Sequence, residues 1–227
     1  FGQELTYIPD ENFEQLLIDN GWDDVIDQSV LTSNIDTVEF LIIDFTNLFW
    51  WGYFDDAIDT LDLTGIEDFT SLKNLDCSQV HFLNDLNLSY NTELTDLNLY
   101  KSSGLTNLNL SNNLNLKYLN TGSSDLNCIS VWNTEIFETN SCQISFNWNW
   151  DADMAEFLFS NNDDDGYCFV KDPHVQYALG DCVGGCQIVL DCNYNENATF
   201  NDGSCSFLDC DNYCLVDEDG NGLCDST

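Results

Sequence analysis

Oxygen donors at alternate places mark the clearest chemistry in this sequence, in the run Asp217-Glu-Asp219-Gly220-Asn221-Gly222-Leu223-Cys224-Asp225. Side-chain oxygens stand at places one, three, five and nine, the Leu223 carbonyl at place seven and a glycine at place six. A turn wrapped around Ca2+ requires that pattern, because the hard cation gathers several oxygens and the glycine permits the bend. No glutamate follows at place twelve to complete an EF-hand, so the ligand set is open, and the rival reading is an acidic turn without metal. Asn161-x-Asp163-x-Asp165-Gly166 is a sparser version of the same pattern.

Cysteine is the second reactive type. Eleven are present, eight of them after Cys142, a density expected of an oxidising compartment rather than the cytosol. From Gly180 onward they crowd a stretch too small for its own core, so Cys186, Cys192, Cys205, Cys210, Cys214 and Cys224 are expected to staple it as disulfides, with metal assisting. Phe1-Gly2-Gln3 starts just ahead of folded-looking sequence, as a mature chain does after signal-peptide removal, so the expected location is extracellular or the outer cell surface.

A catalytic set is not visible. His81 and His174 fall on unrelated segments, and neither a phosphate-cradling glycine loop nor a nucleophile elbow occurs. The expectation is a protein without enzymatic activity. Forty-one acidic residues against four lysines give a net charge of −37, which argues against nucleic acid or anionic lipid as partner. The acid either solvates the surface or, in part, coordinates divalent cations. No apolar run reaches the length of a membrane span.

Aromatic side chains supply the binding chemistry. Phe45-Thr-Asn-Leu-Phe49-Trp50-Trp51-Gly-Tyr53-Phe54 holds six aromatics in ten residues. Such a loop either packs over its own fold or offers a partner large area at small rotamer cost, with Phe49, Trp50, Trp51, Tyr53 and Phe54 as anchors. Phe146-Asn-Trp148-Asn-Trp150 alternates as a strand does.

The elements that must position these groups follow from periodicity. Between Leu72 and Val131 an eleven-residue phrase, apolar at its first, fourth and sixth places, occurs six times, starting at Leu72, Leu83, Leu94, Leu105, Leu116 and Leu126. Leu-Ser-x-Asn closes every second phrase, at Leu88–Asn91 and Leu110–Asn113, so two phrases make a 22-residue unit with two unlike sides. Such a unit cannot bury its apolar face alone and must stack on neighbours. Asp76, Asn87, Asn98, Asn109, Asn120 and Ser130 fill the outward place between paired apolar residues. They either solvate the sheet or form a ligand-binding strip, whereas Asn91 and Asn113 suit the satisfaction of backbone groups at turns. Cys77 occupies an inward leucine place and is expected to remain a buried thiol. Upstream, Asp10 caps a helix in which Phe13, Leu16 and Leu17 share a face and Gly21 makes the stop. Thr37–Asp44 reads as the first strand.

Leu72-Lys-Asn-Leu75-Asp-Cys77-Ser78 and Leu105-Thr-Asn-Leu108-Asn-Leu110-Ser111-Asn112-Asn113 resemble the two half-repeats of secreted and cell-surface leucine-rich repeat proteins of Bacteroidetes, and Tyr7–Gln15 resembles their opening segment. The resemblance implies a leucine-rich repeat solenoid of parallel β coils, each repeat of 22 residues being two halves of 11, under an N-terminal helical cap. It divides the chain into a cap and irregular first repeat (1–69, with insertion 45–54), repeats (70–133), a C-terminal cap (134–180) and a disulfide-rich, mostly irregular module (181–227). Leu126-Asn-Cys128-Ile129-Ser-Val131 resembles the family's terminal repeat, which implies pairing of Cys128 with Cys168, Cys142 being a further candidate. Cys186–Cys205 resembles a module of secreted proteins in the same phylum, and Asp217–Asp225 resembles the calcium repeats of thrombospondin type 3. Asp36-Thr37-Val38, Asp59-Thr60-Leu61 and Asp225-Ser226-Thr227 are similar to the phylum's O-glycosylation signal, which implies Thr37, Thr60 and Ser226 as acceptors. The function these features imply is extracellular binding or adhesion to a protein or cell surface, with Ca2+ as cofactor. A subunit of a self-associating extracellular filament or sheath is the first alternative, and carbohydrate binding through Trp50, Trp51, Trp148 or Trp150 the second.

Overall fold

A computed structural model describes residues 3–43, 61–80, 83–122, 124–139, 143–149, 154–160, 168–170, 175–185, 187, 194–201, 204 and 205. Helix α1 (Glu11–Asp19) begins where Asp10 Oδ1 accepts from the amides of Asn12 at 2.8 Å and Phe13 at 3.1 Å. These donors have no partner within the helix, and the cap supplies one. The other carboxylate oxygen of Asp10 accepts from the Asp62 amide at 2.9 Å, so one side chain starts the helix and ties it to strand β4 (Leu61–Asp62). Gly21, at φ +76°, follows the helix end.

Around α1 lie an antiparallel ribbon, β1 (Leu5–Tyr7) with β2 (Ser29–Leu31), and a single turn, α2 (Thr32–Ile35). Phe13 stacks on Phe69 at 6.3 Å between ring centroids, and Trp22 meets Phe69 edge-on at 6.2 Å. Gly65 lies under this corner at φ +102°, where a Cβ would stand 2.4 Å from Ile8 Cδ1 and 2.8 Å from the Tyr7 carbonyl. Glycine is required there by both conformation and space.

The largest sheet is parallel and five-stranded, in the order β13 (Cys168–Val170), β9 (Tyr118–Asn120), β7 (Asp96–Asn98), β5 (Asn74–Asp76) and β3 (Phe40–Ile42). Its middle strands pair at an offset of 22 residues, Leu75 with Leu97 and Leu97 with Leu119. The remaining phrases feed other sheets: β6 (Leu83–Asp85) pairs with β4, while β8 (Asn107–Asn109) joins β10 (Cys128–Val131) and β14 (Gln176–Leu179). Leucines at the first, fourth and sixth places of the phrases are buried and merge with Phe13, Phe69, Phe137 and Phe169 into one continuous core.

These sheets correct the fold class implied by the resemblance, since the chain is not a regular repeat solenoid with a helical cap. The sheets are mixed, antiparallel in β1–β2 and in the hairpin of β11 (Gln143–Asn149) with β12 (Met154–Ser160), and parallel elsewhere. Phrases that repeat evenly in sequence divide among three separate parallel sheets, and the β4–β6 pairing shifts register between Leu61 and Asp62. The five-stranded sheet also recruits edge strands from outside the repeat, β3 on one side and β13 on the other. At the N-terminal end the cover is a ribbon with helices rather than a helical cap. The physical reason is that apolar period specifies which residues go inside, while backbone pairing partners are chosen by any strand of suitable length that reaches a free edge.

Turn chemistry recurs along the array. Asp62, Asp76, Asn87, Asn98, Asn109 and Asn120 each accept, through a side-chain oxygen, the amide two residues ahead, at 2.7–3.2 Å. A short acid or amide bends the chain this way without a helix or ladder. Asn91 and Asn113 do the interior counterpart. Asn91 Nδ2 donates to the carbonyls of Ile66 and Phe69, and Asn113 Nδ2 to those of Leu88 and Asn91, at 2.8–3.0 Å.

The C-terminal side closes through α3 (Thr134–Thr139), whose buried Phe137 stacks on Phe169 at 4.4 Å and touches Trp132 and Tyr177. Further on, β15 (Gly184–Gly185) pairs in parallel with β16 (Phe200–Asn201). Cys128 is bonded to Cys182, not to Cys168. The correction follows from topology: Cys168 lies on β13 in register with Tyr118 of the five-stranded sheet, whereas Cys128 lies on β10, beside the strand that leads to Cys182.

Candidate binding surface

Parallel pairing places every second residue of the five-stranded sheet on one face. Leu41, Leu75, Leu97, Leu119 and Phe169 form the inward row, all buried. Two outward rows flank it: Phe40, Asn74, Asp96 and Tyr118 in one, Ile42, Asp76, Asn98 and Asn120 in the other. Over these rows runs an open groove of about 250 Å3.

One edge of the groove is apolar. Phe40 is 63% and Ile42 64% exposed, because the residues opposite them, Asn74 and Asp76, are too short to cover them. The middle is acidic and held in place: Asp76 Oδ1 accepts from the Ser78 amide at 2.7 Å, its Oδ2 from Asn98 Nδ2 at 3.0 Å, and Asp96 Oδ2 from Thr95 Oγ1 at 2.5 Å. The far edge is Tyr118, a buried phenol beside Asn120. Burial pushes its hydroxyl pKa well above the usual value, the Asn120 hydrogen bond opposes that shift, and the carboxylates of Asp76 and Asp96 reinforce it. Tyr118 therefore stays a neutral phenol at the edge of the groove.

Chemically, this surface offers fixed carboxylate acceptors, an amide row and a hydrophobic shoulder. It suits a ligand that carries a cation or several hydrogen-bond donors next to apolar carbon. Among the described residues the ion pair is Lys73 with Glu39, at 2.8 Å and exposed on both sides, so little positive charge competes for the groove.

The outward polar strip is divided by the structure. Asp76 and Asn98 line the groove; Asn98, Asn120 and Ser130 are buried, the two asparagines accepting turn amides and the Ser130 hydroxyl lying 3.5 Å from Cys182 Sγ. Phe40 and Ile42 are the residues that sequence reasoning missed. Phe40-Leu41-Ile42-Ile43 is an unbroken apolar run, and only pairing with Asn74 and Asp76 decides which members face out.

Thr37 is exposed, and Cys205 is buried and disulfide-bonded. Cys77 is a free, buried thiol whose pKa is raised by burial and by the Asp76 carboxylate. The aromatic loop (Phe49, Trp50, Trp51, Tyr53, Phe54), the acidic runs at Asn161, Asp163 and Asp165 and at Asp217, Asp219, Asn221, Leu223 and Asp225, the cysteines 186, 192, 210, 214 and 224, and Thr60 and Ser226 lie outside the described residues. Among the described residues no three His, Cys, Asp or Glu side chains converge as a metal centre, and no helix is long and apolar enough to cross a membrane.

No protein-family model matches the chain, and neither a curated protein nor a solved structure is significantly similar to it.

Proposed function

We propose that this chain is a non-enzymatic extracellular binding or adhesion protein, braced by disulfides and Ca2+, whose partner rests on the outward rows of the five-stranded sheet. The observation that carries the reading is the exposed Phe40–Ile42 shoulder directly beside the fixed carboxylates of Asp76 and Asp96. A hydrophobic anchor next to buried-edge acceptors is how a small interface gains both affinity and orientation. A partner surface bearing lysine or arginine beside aliphatic carbon fits it, and the charge of −37 steers such a partner inward. The Cys128–Cys182 bond and the disulfide at Cys205 support an oxidising compartment. Calcium belongs to this reading through Asp217–Asp225.

The test compares retention of the purified chain on the surface of the cells that produce it with that of a Phe40→Ser/Ile42→Ser variant. Retention is expected to fall at least tenfold in the variant and to weaken in high salt. Equal retention of the two proteins overturns the assignment of this face. For the calcium part, chelation is expected to expose residues 205–227 to protease before the rest of the chain, and unchanged resistance there removes Asp217–Asp225 as a metal site.

A further inference from the structure

We propose that the loop joining α1 to β2 is a second divalent-cation site, of the Ca2+ class, with Glu14 Oε2 and Asp23 Oδ2 as its carboxylate ligands. It is separate from Asp217–Asp225 and does not depend on that reading.

The argument starts from a buried carboxylate. Glu14 is 0% exposed, on the inner side of α1. Its Oε1 accepts from the amides of Asp27 and Ser29, both at 2.9 Å, which pins the loop to the helix and fixes the carboxylate plane. The second oxygen, Oε2, is covered and accepts no hydrogen bond among the described residues. Asp23 repeats the pattern: Oδ1 takes the Asp24 amide at 2.9 Å, while Oδ2 is covered and without a donor, although the rest of the residue is half-exposed. Two carboxylate oxygens removed from water and left without donors are costly unless a cation joins them.

Among the described residues no lysine or histidine forms an ion pair with Glu14 or Asp23. Neither lysine, arginine nor histidine occurs before Lys73, whose ammonium is engaged by Glu39. Asp24 and Asp27 add two more charges to the same loop. Asp23, Asp24 and Asp27 share the short loop whose amides at Asp27 and Ser29 are held by Glu14, so like charges are gathered there. A bound cation relieves that repulsion. With two carboxylates as ligands, main-chain carbonyls of the loop and water must complete the shell, and a set of such low charge places affinity near ~0.1–1 mM, within the range of extracellular calcium modules.

The experiment uses the full chain carrying Asp217→Asn, Asp219→Asn and Asp225→Asn, so that the tail contributes nothing. Thermal unfolding and amide exchange are followed in CaCl2, in EDTA, and in NaCl of matched ionic strength. Calcium at tenfold over its Kd is expected to raise Tm by roughly 3–6 °C and to slow exchange of the Asp27 and Ser29 amides, with no such change in NaCl. Adding Glu14→Gln keeps the Oε1 acceptor and replaces the Oε2 ligand by an amide NH2, which cannot coordinate a cation. That variant is expected to lose the calcium response while being at least as stable as its parent in EDTA, and Asp23→Asn to lose the response likewise. A parent without a calcium-dependent rise and slowing, or a Glu14→Gln protein that keeps them, overturns the site.

Discussion

Replacing Asn113 by alanine should destabilise the protein by about 1–2 kcal/mol, and the figure follows from what its side chain touches. Asn113 is fully buried, and its Nδ2 is the donor to two interior carbonyls, Leu88 at 3.0 Å and Asn91 at 2.9 Å. Truncation takes one donor from each carbonyl, but each keeps a backbone amide at 3.1 Å, Asn91 N on the Leu88 carbonyl and Leu94 N on the Asn91 carbonyl, so each loss costs about 0.5–1.5 kcal/mol. Part of this is offset, because Asn113 Oδ1 itself accepts nothing among the described residues and its removal relieves one unsatisfied acceptor. Asn113→Asp should be worse than alanine, since it puts an oxygen where the donor stood and faces it toward both carbonyls. Neighbouring Asn112 is exposed and donates to the Ser89 carbonyl at 3.3 Å, so Asn112→Ala should stay within about 0.5 kcal/mol of the parent. Urea unfolding of the three variants, followed by tryptophan fluorescence, reads the differences. If Asn113→Ala is as stable as Asn112→Ala, the claim that interior asparagines hold adjacent turns together is wrong.

Gly65→Ala should cost at least about 2 kcal/mol, because the added Cβ meets Ile8 Cδ1 and the Tyr7 carbonyl in a backbone that L-residues avoid; a Tm equal to that of the parent would contradict the packing of this corner. Cys77 should resist thiol reagents at neutral pH in the folded protein and react fully in denaturant, as peptide mapping of the labelled chain will show. Tyr118 and Tyr177 have their hydroxyl pKa values raised chiefly by burial, so their contribution is fully present below the ordinary tyrosine value of about 10 and is lost as pH climbs beyond it. Stability measured across pH 9–12 should therefore fall, and Tyr177→Phe should flatten the fall. Breaking Cys128–Cys182, which spans 54 residues, should cost up to about 4 kcal/mol on the chain-entropy account, read from the unfolding midpoint of a Cys128→Ser/Cys182→Ser variant.

Much of the interior is written directly in the chain. The apolar places of the eleven-residue phrases are buried from Leu72 to Val131, and the asparagines that close alternate phrases make interior bonds to backbone carbonyls. Asp10 and Gly21 bound the first helix from local chemistry alone. Each of these is decided within a few residues: period sets the inward face, a short acid caps free amides, and a buried amide must find partners.

What the tertiary structure alone decided is partnership across distance. An even period did not reveal that its phrases would divide among separate sheets, nor that β3 and β13 would complete the largest one. Nor could spacing tell that Cys128 would meet Cys182, since that pairing rests on β14 lying beside β10. Phe40 and Ile42 face outward only because Asn74 and Asp76 stand opposite them, and Glu14 is stranded only because the loop to β2 folds back over it. Local pattern is a property of neighbours in sequence, whereas sheet edges, disulfides and buried charges depend on which distant segments arrive, and that is settled by packing the whole chain.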